Sequence, residues 1–187
     1  MEAFWVSLGV VTSAEIGDKT QLLALLLAAR FRCALPIIAG IFVATVLNHA
    51  AAAWIGRLIG DGLNPEMLRL ILGVSFLAMA VWMLFPDKID DEQPKNAYRG
   101  SAFFTTLILF FLVEIGDKTQ LATAALAMRY DALFQVVCGT TAGMLLADAP
   151  AVWLSEKMLR RINMNWLHRI SAMIFIALAA ATLFYPG

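Results

Sequence analysis

A chain of 187 residues that is 61% hydrophobic and 15% charged, with a mean hydropathy of +0.77, lies far outside the balance of a soluble globular domain. Its fourteen basic and fourteen acidic residues cancel, a sum that says nothing about partners because in a membrane protein the placement of charge matters more, and no nucleic-acid partner is expected. Cys33 and Cys138 stand alone, without a C-x-x-C or a histidine at metal-ligand spacing, so disulfide and zinc frameworks are excluded and two free thiols are expected.

A bilayer crossing needs about 20 apolar residues. Six such runs are legible, at 4–28, 34–56, 67–85, 101–127, 132–154 and 167–185, and they predict an all-α polytopic membrane protein. The first run follows MEAFWVSLG, which has no basic n-region, and reads as a permanent helix rather than a cleaved signal. It carries EIGDKTQL at 15–22. The second run holds Asn48 and His49, and the third ends at FP, 85–86. The polar stretch DKIDDEQPKNAYRG, 87–100, then reads as a solvated linker. The fourth run repeats EIGDKTQL at 114–121, and the fifth holds Asp148 followed by Pro150, which is expected to bend its helix. The basic segment KMLRRINMNWLHR, 157–169, precedes the sixth run. Trp54, Trp82, Trp153 and Trp166 fall near span ends, where interfacial aromatics collect.

Sliding the chain by 99 residues superposes more than the octapeptides. Ala28 meets Ala127, Arg30 meets Arg129, Gly40 meets Gly139, Ala50 meets Ala149 and Trp54 meets Trp153. After one inserted residue Arg69 meets Arg169, and FP meets YP at 185–186. The expected organisation is therefore a three-helix repeat at 1–86, the linker at 87–100 and a second three-helix repeat at 101–187, forming one transport domain. Three crossings per unit is odd, so the second unit enters from the opposite side. Inverted repeats of this kind are a plan of secondary transporters, with the substrate site at mid-membrane. Nine of the basic residues fall at the loops near 31, 93 and 160 and three on the other side, which places those loops in the cytoplasm and both termini outside it.

Glu15 and Glu114 lie about halfway through their spans. Ionisable groups at that depth are costly and mark ion or proton paths. In a helix each Glu and Asp are i and i+3 and so emerge on one face, and Lys19 or Lys118 joins that face at i+4 from the Glu. Glu15, Asp18, Glu114 and Asp117, with the amides Gln21 and Gln120, then form the candidate metal-ligand set. Gly17 and Gly116 loosen the helix and permit close approach, Thr20 and Thr119 offer hydroxyls, and Lys19 and Lys118 balance charge. Oxygen donors suit hard divalent cations, Ca²⁺, Mg²⁺ or Mn²⁺, rather than copper or zinc. Four carboxylates and two ammonium groups leave minus two, which one divalent ion or two protons cancel. Metal and protons can thus exclude one another, the minimum requirement of an exchanger. Asn48, His49 and Asp148 are candidates for a second polar layer, His49 as a proton carrier or nitrogen ligand and Asp148 as a fifth acid. The plainer alternatives are two buried salt bridges that fix packing and, for the second layer, interhelical hydrogen bonds.

The doubled pattern E-x-G-D-[KR]-[ST], once in each three-helix unit, resembles the signature of the GDT-type cation/proton antiporters, a family that includes bacterial manganese exporters and the Golgi and chloroplast manganese and calcium transporters. The resemblance covers nearly the whole chain. It implies that Glu15, Gly17, Asp18, Lys19 and Thr20, with Glu114, Gly116, Asp117, Lys118 and Thr119, line a cation path, and that Mn²⁺ or Ca²⁺ leaves the cytosol against H⁺ with no resident cofactor. The short central loop and the lack of a targeting extension resemble the bacterial inner-membrane form, for which manganese is the expected cargo and a Ca²⁺/H⁺ antiporter the alternative. Partners are then the ions and the lipid bilayer, with a homo-oligomer compatible. An intramembrane aspartyl protease fits less well, because EI rather than G-x precedes each GD. A structural or thiol-redox subunit fits neither the doubled acids nor the lone cysteines.

Overall fold

The apolar runs fold as helices, and the breaks between them fall where the backbone chemistry requires. The computed structural model describes residues 1–85, 101–153 and 164–184, apart from the side chains of residues 164, 165, 167 and 168. The linker at 87–100 and most of the basic segment at 157–169 lie outside the described residues. Eight described helices follow in order: α1 (Glu2–Glu15), α2 (Lys19–Phe31), α3 (Ala34–Asp61), α4 (Pro65–Trp82), α5 (Ala102–Glu114), α6 (Lys118–Arg129), α7 (Leu133–Trp153) and α8 (Met164–Phe184). No strand occurs among the described residues.

Of these, α3, α4 and α7 are each long and apolar enough to cross a membrane, and α5 and residues 169–184 of α8 are shorter apolar segments. The described residues are all-helical in organisation, with the long apolar helices of a membrane protein. α3 runs on to Asp61, past the expected end at 56, because AAAAWIGRLIG contains no strong breaker before Gly62. α4 starts cleanly because the Asn64 side chain accepts from the Met67 N–H at 2.8 Å and Pro65 presets the first turn. Pro150 sits inside α7. Trp54, Trp82, Trp153 and Trp166 are all exposed, as side chains at a lipid interface must be.

The expectation of continuous helices at 4–28 and 101–127 is corrected. Each is two half-helices, broken at 16–18 and at 115–117. Gly17 has φ +87° and Gly116 φ +76°, in the left-handed region that side chains disfavour. Ile16 and Asp18, and likewise Ile115 and Asp117, are extended on either side. Within an apolar run a single glycine reads as a tolerated helical residue, so the break was not apparent from periodicity.

The two halves pack by exchange. α1 lies against α7 and α5 against α3, while α2 contacts α7 and α6 contacts α3; α3 meets α7 and α4 meets α8. Repeat-related glycines allow the close approach. A Cβ on Gly40 would stand 2.8 Å from the Phe103 carbonyl and from Thr106 Cβ, and one on Gly139 would collide with the Phe4 carbonyl and stand 2.9 Å from Ser7 Cβ. The Thr12 hydroxyl adds a bond to the Gly143 carbonyl at 3.3 Å.

Two buried apolar clusters result. One unites residues of α1 and α6 with α4 and α8, around Phe76, Leu126 and Phe175. The other unites α2 and α5 with α3 and α7, around Leu27, Ile41 and Phe110. The half-helices of the two motif spans thus divide between the clusters, and the motif residues occupy the junction.

Candidate functional site

The same turn is built twice at the junction. The Gly17 N–H donates to Gln21 Oε1 at 3.1 Å, and the Gly116 N–H to Gln120 Oε1 at 2.7 Å. The Asp18 and Asp117 N–H groups donate back to the carbonyls of Glu15 and Glu114, each at 3.0 Å. Each glutamine thus holds the glycine turn from one helical turn further on. The amide oxygens expected among the metal ligands are engaged in this way, and Gln21 Nε2 also donates to the Ala147 carbonyl at 2.9 Å, tying the start of α2 to α7. Each aspartate becomes the N-cap of its second half-helix; Asp117 Oδ2 accepts from the Thr119 N–H at 3.4 Å and its hydroxyl at 3.2 Å. The Thr20 hydroxyl donates to Glu15 Oε1.

Because the turns break helical register, the expected shared face of Glu, Asp and Lys at i, i+3 and i+4 is replaced by pairing across the halves. Lys118 Nζ lies 2.7 Å from Asp18 Oδ1, and Lys19 Nζ lies 2.9 Å from Asp117 Oδ1. The lysines do balance charge, each for the acid of the other half. The pairs are not equivalent: the Lys118 side chain is 1% exposed and that of Lys19 is 28% exposed.

Carboxylate oxygens of Glu15, Asp18 and Asp117, all buried, lie within 4.8 Å of one another. Three of the four expected acids therefore converge, and they come from both halves. Glu114 is also buried but is held by α3: Oε1 accepts from the Thr45 hydroxyl at 3.1 Å and Oε2 from Asn48 Nδ2 at 3.3 Å. Asn48 donates as well to the Phe111 carbonyl at 3.2 Å. Of the expected second layer, Asn48 thus touches a motif acid. The His49 and Asp148 side chains are fully buried and make no side-chain hydrogen bond among the described residues. Thr45 was not foreseen, although it stands one helical turn before Asn48 and so on the same face of α3.

A separate set of contacts ties one end of the bundle. Glu2 Oε1 accepts from the Tyr130 hydroxyl at 3.3 Å, the N-terminal amine donates to Gln135 Oε1 at 3.0 Å, Arg57 pairs with Asp131 at 3.0 Å, and Arg129 donates to Thr182. These bonds join the start of α1, the end of α3, the α6–α7 turn and the end of α8.

Gly116 offers a clean test of the turn. A Cβ there meets no atom within 4 Å, so Gly116→Ala costs only the left-handed backbone, about 1–2 kcal/mol. The expected outcome is a folded protein with a lower melting temperature in detergent, since the Glu114–Asp117 spacing depends on this turn.

An all-helical membrane protein with two repeated acidic turns meeting in its interior has the form of an ion transporter. Two segments, residues 3–91 and 102–186, match the family model described as "Divalent cation/proton antiporter GDT1", and the chain belongs to that family. Among its relatives is a Vibrio cholerae protein named "Putative manganese exporter", 48% identical over 186 residues, which cover 99% of this chain and 92% of that one. An Arabidopsis thaliana protein named "GDT1-like protein 5" is 25% identical across 100% of this chain and 97% of its own. An Oryza sativa subsp. indica protein named "GDT1-like protein 4" is 24% identical across 99% and 74%. No solved structure matches the chain.

Proposed function

We propose that this protein exports a divalent cation, Mn²⁺ in the first place, from the cytoplasm in exchange for protons, through one site that both halves supply. The observation that carries this reading is the convergence of Glu15, Asp18 and Asp117 within 4.8 Å, buried at the junction of four half-helices. Glu114 completes the set from the α3 side. Hard oxygen donors fit Mn²⁺ or Ca²⁺ equally, and the name of the Vibrio cholerae relative favours manganese.

Exchange follows from electrostatics. Within the two motifs, two lysines offset two of the four acids, and either one divalent ion or two protons cancels the remaining two motif charges. A site that cannot be left fully ionised in low dielectric alternates between those loads. An aspartyl protease reading is disfavoured, because Asp18 and Asp117 are each bonded to a lysine rather than sharing a proton with each other.

In this reading α1–α2 and α5–α6 each count as one broken crossing. The chain then crosses a bacterial inner membrane six times as two inverted halves, residues 1–86 and 101–187, joined by the cytoplasmic linker 87–100, with both termini periplasmic. Support comes from the exchange packing and from the tied end, where the start of α1 meets the ends of α3, α6 and α8. In this reading that end is the periplasmic one.

The test is uptake into inside-out membrane vesicles. An acid lumen should drive Mn²⁺ inward as protons leave, and a protonophore should stop it. Accumulation indifferent to the gradient would remove proton exchange, and accumulation of Ca²⁺ without Mn²⁺ would reassign the cargo.

A further inference from the structure

Asp148 is an acid that the two motifs do not account for. It lies in α7 at 0% exposure, and neither carboxylate oxygen has a hydrogen-bond partner among the described residues. One turn to either side are Met144 and Ala151, both fully buried and apolar. Its electrostatic neighbours are other acids, Glu114 and Asp18, and Glu15 senses it in turn. The segment is anchored at the site, because the Ala147 carbonyl accepts from Gln21 at the start of α2.

A buried carboxylate without a partner is strongly unfavourable as the ion, and either a proton or a cation relieves it. Lys118 and Lys19 are engaged by Asp18 and Asp117. A divalent ion held by the neighbouring cluster would supply that charge. The cluster of Glu15, Asp18 and Asp117 offers three carboxylates, and hard divalent ions take about six or more oxygen ligands, so the coordination shell has room for another. The equivalent residue in the first half, 99 positions earlier, is His49, so at this pair of positions the acid comes from α7.

We infer that Asp148 is a further ligand of the transported divalent cation, recruited from α7 to the Glu15–Asp18–Asp117 cluster when the ion binds. The inference rests on the cation site proposed above. Asp148 is not among the mutually close oxygens of Glu15, Asp18 and Asp117 in this structure, and the inference requires its side chain to turn toward them when the ion binds.

The experiment measures Mn²⁺ binding by calorimetry, and thermal unfolding with and without Mn²⁺, on the purified full chain at one pH. Asp148→Asn should bind Mn²⁺ at least about tenfold more weakly, and the rise in melting temperature on adding Mn²⁺ should shrink. Its metal-free melting temperature should equal or exceed that of the unsubstituted protein, because the unpaired acid is gone. Asp148→Ser provides a second neutral side chain, read in the same way if the asparagine variant does not fold. Unchanged Mn²⁺ affinity in a folded neutral variant overturns the inference, as does a lower metal-free melting temperature with affinity intact, which marks a packing role. Asp117→Asn separates the levels. If it abolishes binding while Asp148→Asn does not, this inference alone fails; if the unsubstituted protein binds no Mn²⁺, the proposed site fails with it.

Discussion

Substituting Asp117 by asparagine is expected to reduce Mn²⁺-driven proton movement in proteoliposomes by at least about 100-fold, equivalent to roughly 2.7 kcal/mol, with the protein still folded. At an effective dielectric near 20, two unit charges about 4 Å apart attract by about 4 kcal/mol, and a divalent ion doubles the gross attraction before desolvation is subtracted. Removing one of three converging carboxylates therefore removes a large part of the binding energy. Folding should survive, because the lysine left behind is Lys19, whose side chain is 28% exposed and can reach water. Glu15→Gln should behave in the same way, since a glutamine oxygen can still accept from Thr20. Transport at the unsubstituted rate in both variants would remove these residues from the cation path.

The second large effect concerns stability. Lys118→Met leaves Asp18 buried without its counter-ion, a loss of about 3–5 kcal/mol by the behaviour of broken buried ion pairs. Lys19→Met should cost less, because its pair is partly solvated. The decisive comparison is the double variant Asp18→Asn with Lys118→Met. With no unpaired charge remaining, it should be more stable than Lys118→Met alone, as measured by thermal unfolding in detergent. A double variant less stable than either single one would contradict a pairing between the halves.

The parts of this molecule that were legible in the sequence are those written in residue type. Intramembrane charge, hydropathy and the 99-residue repeat identified a duplicated membrane chain with paired acidic motifs, and the oxygen chemistry followed. Conformation was legible only in part. Gly17 and Gly116 signalled a weak point in each helix, but periodicity within apolar runs could not reveal a left-handed turn that cuts each span in two. Once the register breaks, spacing rules for a continuous helix no longer apply, and so Lys19 and Lys118 were referred to neighbours in their own motifs. Their partners lie about a hundred residues away, where only the packing of α2 and α6 brings them. The same holds for Thr45 and Asn48, whose bonds to Glu114 depend on α5 lying against α3. Gln21 and Gln120 carried the right chemistry for a ligand, yet the glycine N–H groups engage their oxygens.

The central claim is that the two halves build one cation site between them, and the number of bound ions tests it directly. Equilibrium Mn²⁺ binding to the purified full chain should give one tight site per chain, lost on substitution in either half, whether Glu15→Gln or Asp117→Asn. Two independent sites per chain, each removed by substitution in its own half alone, would contradict the shared site.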